Sequence, residues 1–230
     1  MLMVALYHLV YDLDNFAGYG IESTSGFWAA FADASAAAFL FLVGLSLALS
    51  FDRERRGGRR SLFGKYARRG GRIFLYGMLI TFVFLAFGYG YVIFGILQLI
   101  GVSIVLAYPF LGLRFASAFV GLAVLGAGVY VGAQQIVVGG VAGVLLAPFG
   151  VLPEGLFMPD YRPLLPWFGV VLLGLFFGNV AYVPLRKGPP APAPPAAGPL
   201  AFIGRHTLFI YLVHQPVLLA TLWALGMVRF

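Results

Sequence analysis

Long apolar runs, broken by short polar or Gly/Pro-marked stretches, set the pattern of this chain. A bilayer core about 30 Å thick takes about 20 apolar helical residues to cross. Six runs reach or approach that length: Phe27–Phe51, Ile73–Phe87, Tyr91–Leu111, Phe115–Ala133, Leu164–Pro184 and Leu200–Val228. An earlier run, Met1 to Tyr11, reaches only about 17 Å as a helix. It lacks the basic segment and small-residue cleavage site of a signal peptide, and is expected to be the outer half of a helix whose inner half is missing. Gln134–Val151 is apolar, rich in Gly and Val, and ends in Pro148-Phe149-Gly150. It is expected to re-enter or lie on the membrane surface. The fold class is therefore all-α: a polytopic transmembrane helix bundle of about seven spans, one short or re-entrant, forming a single domain over residues 1–230.

Composition sharpens this picture. Hydrophobic residues make up 61% of the chain and charged residues 10%, against about 25% charged in soluble domains. That leaves too little polar surface for a water-soluble fold. Cysteine is absent, which excludes disulfides, thiolate nucleophiles and thiolate metal ligands. The net charge of +7 would suggest nucleic acid if it were spread along the chain. Instead, nine of the fifteen basic residues fall between Arg53 and Arg72, in one loop between two spans. This is the positive-inside pattern; the same loop also suits lipid or a phosphorylated ligand. With that loop in the cytoplasm, Phe27–Phe51 runs inward, and the His8–Asp14 region lies at the outer face. Arg186-Lys187 also falls inside if Gln134–Val151 does not cross. The Pro-rich run Gly188–Pro199 is then a semi-rigid cytoplasmic linker before the last helix.

Ionisable groups at membrane depth are costly and point to function. Asp33 lies about two turns into the second helix. His8 lies one turn before Asp12, where the first helix leaves the membrane. The two helices are antiparallel, so an imidazole and a carboxylate fall at similar depth, and a carboxylate beside an imidazole fixes its tautomer and raises its basicity. The alternative is that His8 bonds a neighbouring helix while Asp33 sits in the wet interface. His8, Tyr11 and Asp12 share one helix face at i, i+3, i+4. Tyr7 and Tyr11 also fit an interfacial aromatic belt, and Asp14 and Glu22 are expected to be solvated loop residues. Asp160, in Pro159-Asp160-Tyr161-Arg162-Pro163, either faces the same cavity as His8 or pairs with Arg162. His214, beside Gln215 and Pro216 near the middle of the last helix, is either a functional ligand or an interhelical hydrogen-bonder. Arg205 and His206 near its inner end either meet phosphates or anchor the interface. Gln98 is a lone mid-span amide that suits packing. No nucleotide loop, metal-ligand spacing or nucleophile elbow is present, and three scattered histidines make no metal site.

Five ordered strings add a resemblance: Met3–Leu13 (MVALYHLVYDL), Phe39–Ser50 (FLFLVGLSLALS), Phe94–Val102 (FGILQLIGV), Asp160–Trp167 (DYRPLLPW) and Gly204–Pro216 (GRHTLFIYLVHQP). Together they resemble the heparan-α-glucosaminide N-acetyltransferase-like catalytic domain of microbes, one group of transmembrane acyltransferases. The eukaryotic member moves acetyl from cytosolic acetyl-CoA to a terminal glucosamine across a membrane. Three departures stand out. The Leu-Arg-Gly segment usual before the first helix is missing, Gln98 stands where the family often has His, and the loop after the first helix offers Tyr19 rather than a His. Asp33 matches a shared acidic position.

The resemblance implies a multi-pass plasma-membrane acyltransferase. It would carry acetyl, or a similar acyl group, from acyl-CoA to an amino-sugar or other glycan acceptor, with acetyl-CoA as donor and no metal or nucleic acid. His8 and Asp33 are the expected catalytic pair. Asp12, Tyr11, Asp160, His214 and Gln98 are expected to bind substrate, and Arg205 and His206 the acyl-CoA. The competing readings are a transporter or flippase-like protein with a buried His/Asp relay, and an inactive membrane subunit.

Overall fold

The computed structural model describes residues 1–58, 61–88, 92–156, 158, 160–185 and 197–228. They form two compact units: Met1–Phe39 with Pro189–Phe230, and Leu40–Gly188. The helices are α1 (Leu2–Asn15), α2 (Gly26–Arg56), α3 (Phe63–Phe87), α4 (Ile96–Leu106), α5 (Arg114–Gln134), α6 (Gly140–Leu146), α7 (Leu164–Phe177), α8 (Val183–Leu185), α9 (Ala197–Arg205) and α10 (Thr207–Ala224). A π-helical turn, Gly178–Tyr182, joins α7 to α8. Among the described residues five helices are long and apolar enough to cross a membrane: α2, α3, α5, α7 with its π turn, and α10. The protein is thus a helical membrane protein, with five such helices where about seven spans were expected.

The difference lies mainly in α4. The run Tyr91–Leu111 was expected to cross, but its α-helix has only 11 residues, about 16 Å of rise. Ile96–Gly101, Ser103 and Ile104 are all buried. This helix is apolar all round because protein surrounds it; composition alone does not separate that environment from lipid. By contrast, α3 and α5 expose ladders of large apolar side chains: Leu75, Leu79 and Phe82 on one, Phe115, Phe119, Leu122 and Val129 on the other. Faces of that kind suit lipid rather than water.

The expected basic loop is mostly helix. α2 continues to Arg56 and α3 begins at Phe63, because Arg, Lys and Ala favour helix and nothing requires it to stop at the membrane boundary. Arg53, Arg55 and Arg56 sit in the last turn of α2, where cations complement the helix dipole. Lys65 of α3 bonds Glu54 of α2 at 2.6 Å, and Arg56 pairs with Asp52 at 3.0 Å.

The segment expected to be re-entrant makes a closed excursion. Val137–Val138 and Leu152–Pro153 pair as a two-stranded parallel ladder, β1 and β2. The chain between them holds α6 and a 3₁₀ turn, Ala147–Phe149. A seven-residue helix rises about 10 Å and does not cross a bilayer. The last expected span is broken at His206, with α9 before it and α10 after it. The end of the expected Pro-rich linker is helical from Ala197; the rest of that linker, and Arg186-Lys187, lie outside the described residues.

In the second unit, α3 packs on α4, and α7 packs on α5. At two positions of the α2–α7 crossing only glycine fits. A Cβ at Gly44 of α2 would overlap the Val171 carbonyl of α7, and one at Gly174 of α7 would overlap the Phe41 carbonyl of α2.

Candidate active site

In the first unit α1 packs against α10, and their facing polar residues meet. The His8 and His214 rings lie edge to face with centroids 4.8 Å apart. One turn along α1, Asp12 is fully buried, and its Oδ1 accepts the Gln215 Nε2 amide at 2.6 Å. Four polar side chains from segments about 200 residues apart therefore form one cluster. The i, i+4 spacing of His8 and Asp12 puts both on one face of α1. Consecutive His214 and Gln215 each take one of them. Pro216 follows directly, and as proline it has no N–H to return to the Leu212 carbonyl.

The cluster is short of donors. His214 Nδ1 lies 2.5 Å from the Tyr211 carbonyl, while its Nε2, the second carboxylate oxygen of Asp12 and the Gln215 carbonyl oxygen are shielded from solvent without a hydrogen-bond partner. Natively buried polar atoms are nearly always paired, so three exceptions in four neighbouring side chains mark a place built for something else. Tyr7 packs against both His8 and Tyr11, at 5.8 Å and 6.3 Å between centroids. Tyr11 continues to Phe16 at 6.5 Å, giving an aromatic border to the cluster.

The turn after α1 is tied down by its own polar residues. Asp14, expected to be merely solvated, accepts the backbone N–H groups of Ile21 at 2.8 Å and Ser23 at 2.6 Å. Asn15 donates to the Tyr11 carbonyl at 3.0 Å and to the Ser23 hydroxyl at 3.1 Å. These bonds fix the end of the helix that carries His8 and Asp12.

The remaining expected residues have the following surroundings. Asp33 is exposed on α2, and the ring against His8 is that of His214. Arg205 and His206 are exposed at the α9–α10 junction, where His206 stacks near Phe202 at 4.3 Å and its Nδ1 lies 2.9 Å from the Phe202 carbonyl. Asp160 and Gln98 belong to the second unit. Asp160 accepts the Ile96 N–H at 3.2 Å, satisfying a donor at the start of α4. Gln98, 1% exposed, accepts the Gly95 N–H at 3.1 Å and donates to Thr81 at 3.0 Å; Thr81 in turn donates to the Val92 carbonyl. Both residues thus make bonds to the start of α4 within the second unit. Nearby, Tyr161 donates to the Ala147 carbonyl at 2.6 Å, and burial pushes its phenol up to about 12. Arg162 covers the Trp167 ring at 5.1 Å.

Sequence reasoning did not single out Gln215. Its signal was present as an amide in an apolar run, directly beside a histidine and a helix-interior proline.

The family model for Heparan-alpha-glucosaminide N-acetyltransferase, catalytic, matches residues 1–216, a stretch that includes every residue of the cluster. The chain belongs to this family. No curated protein and no solved structure matches it. Within the N-acetyltransferase family match, the α1 and α10 strings that form the cluster lie at opposite ends, so the matched region is closed on itself by the contact of His8 and Asp12 with His214 and Gln215. Among the described residues, no group of three or more His, Asp or Glu is arranged to hold a metal ion.

Proposed function

We propose that this chain is a plasma-membrane acetyltransferase that passes an acetyl group from acetyl-CoA to an amine or hydroxyl of an amino-sugar or other glycan acceptor. The observation that carries the reading is the His8–Asp12–His214–Gln215 cluster, with buried polar atoms on three of its members and all four residues within the family match. A buried relay would also suit a transporter, but membership of a catalytic family favours transfer chemistry.

Acetyl-CoA supplies an activated thioester. His8 acts as general base, taking the proton that the acceptor nitrogen or oxygen loses as its bond to the acetyl carbon forms and the carbon–sulfur bond breaks. His8 then passes that proton to the departing thiolate, which leaves as the thiol, and the neutral imidazole is regenerated. Asp33, on α2 of the same unit, stabilises the charged imidazole in this reading through the acceptor or solvent between them. Arg205 and His206 suit the phosphates of the donor. Both are exposed, and among the described residues Arg205 makes no ion pair.

The test is transfer from labelled acetyl-CoA to a panel of amino sugars by the purified protein in lipid nanodiscs. His8→Ala should lower turnover by about 10²–10⁴-fold, the usual worth of an acid–base group, while acetyl-CoA binding stays intact. Asp33→Asn should lower turnover by less. Absence of transfer by the wild type to every acceptor, or a wild-type rate in His8→Ala, would overturn the reading.

A further inference from the structure

The three unpartnered atoms of the cluster share a chemical sign. Asp12 Oδ2 and Gln215 Oε1 are oxygens, and both accept. Gln215 has its amide nitrogen committed to Asp12 Oδ1, so the orientation of its side chain is fixed by the carboxylate. His214 needs one further step. Its Nδ1 lies 2.5 Å from the Tyr211 carbonyl, which only accepts, so Nδ1 carries the hydrogen. The neutral ring then leaves Nε2 as a bare lone pair. Three acceptors on the packed helices α1 and α10 are shielded from solvent and have no donor. Among the described residues one other buried atom lacks a partner, the Ser103 hydroxyl of α4, which belongs to the other unit and carries its own proton.

We infer that Asp12, His214 and Gln215 form an acceptor-only subsite for the protonated amine of the acyl acceptor. This rests on the transferase reading and adds which part of the reaction the cluster serves. A primary ammonium brings three N–H groups and no acceptor, the complement of a cluster that lacks donors. It also brings the positive charge that a buried carboxylate calls for; among the described residues no Lys or Arg pairs with Asp12. The phosphates and carbonyls of an acyl-CoA offer lone pairs to lone pairs and are repelled from the same place. The cluster thus holds the acceptor, and the donor's polar groups bind elsewhere. His8, edge-on to His214, stands beside the bound amine, where the proton has to go. Asp12 and Gln215 are positioning and specificity residues that set which acceptors enter.

The probes are glucosamine, glucose and N-acetylglucosamine, titrated calorimetrically into the purified protein in nanodiscs. Glucosamine is expected to bind at least tenfold more tightly than the other two, which lack the ammonium. Asp12→Asn should erase that preference with acetyl-CoA affinity unchanged. Gln215→Met, which keeps the carboxylate and the side-chain length, should weaken glucosamine several-fold and serves if Asp12→Asn does not fold. Equal binding of glucosamine and glucose overturns the inference. So does a preference that survives in folded Asp12→Asn, or undiminished affinity in Gln215→Met. Glucosamine bound through Asp12 without acetyl transfer would refute the transferase and leave this subsite standing. Transfer with an acceptor affinity indifferent to Asp12 would do the reverse.

Discussion

At the scale of single residues, burial and bonding separate two kinds of polar side chain. Gln98 and Asp12 are both buried among apolar neighbours, but Gln98 uses its oxygen and its nitrogen within the fold, whereas Asp12 leaves an oxygen without a donor. Gln98→Leu removes a bond to the Gly95 N–H and strands a donor at the start of α4. The expected cost is about 1–3 kcal/mol, read as a lower unfolding midpoint in detergent with acceptor KM unchanged. A raised KM with an unchanged midpoint would instead make Gln98 a ligand residue. His8, Tyr11 and Asp12 were legible as one face because helical spacing is local. The partner of Asp12 was not, since Gln215 lies on another helix and no spacing rule reaches across a fold. The burial of Asp12 was not legible for the same reason, since it comes from the packing of α10 against α1.

At the scale of elements, glycine decides how closely helices approach. Gly44 and Gly174 let α2 and α7 touch backbone to backbone, the small-residue packing that membrane helices use in place of a hydrophobic driving force. Gly44→Ala adds one methyl where the Val171 carbonyl already stands. It should destabilise by at least about 1–3 kcal/mol, the usual cost of overpacking. Gly64→Ala makes the same change in α3 where nothing lies within 4 Å, and should be neutral or stabilise by up to about 1 kcal/mol through helix propensity. Thermal unfolding of the two variants side by side checks this; equal midpoints would mean the close crossing carries no energy. Helix existence was legible from apolar runs, since such runs are what a bilayer selects. The helix limits were less so. Tertiary context sets them: Asp160 and Gln98 at the start of α4, helix-favouring basic residues at the ends of α2 and α3, and the break at His206.

At the scale of the whole molecule, the distribution of charge orients the chain. The 31 residues of α2 rise about 46 Å, more than the roughly 30 Å hydrocarbon core, so its two ends lie on opposite sides of a membrane it crosses. Its basic end, with the basic start of α3, resists translocation and belongs in the cytoplasm. The opposite end, next to the turn fixed by Asp14 and Asn15, then faces outward. Under the proposed function, an acceptor binding at Asp12 would then come from outside and the acyl donor from inside, with transfer across the membrane rather than along one face. Single cysteines make it testable, since the chain has none of its own. Gly57→Cys, in the short turn between α2 and α3, and Ala193→Cys, in the Pro-rich run, should resist a membrane-impermeant thiol reagent in intact cells and react after permeabilisation. Tyr19→Cys, exposed in the turn after α1, should react in intact cells. Labelling of the first two with protection of the third would invert the chain. The Asp12 subsite would then open to the cytoplasm, where acceptor and acetyl-CoA meet on the same side and no transfer across the bilayer is needed.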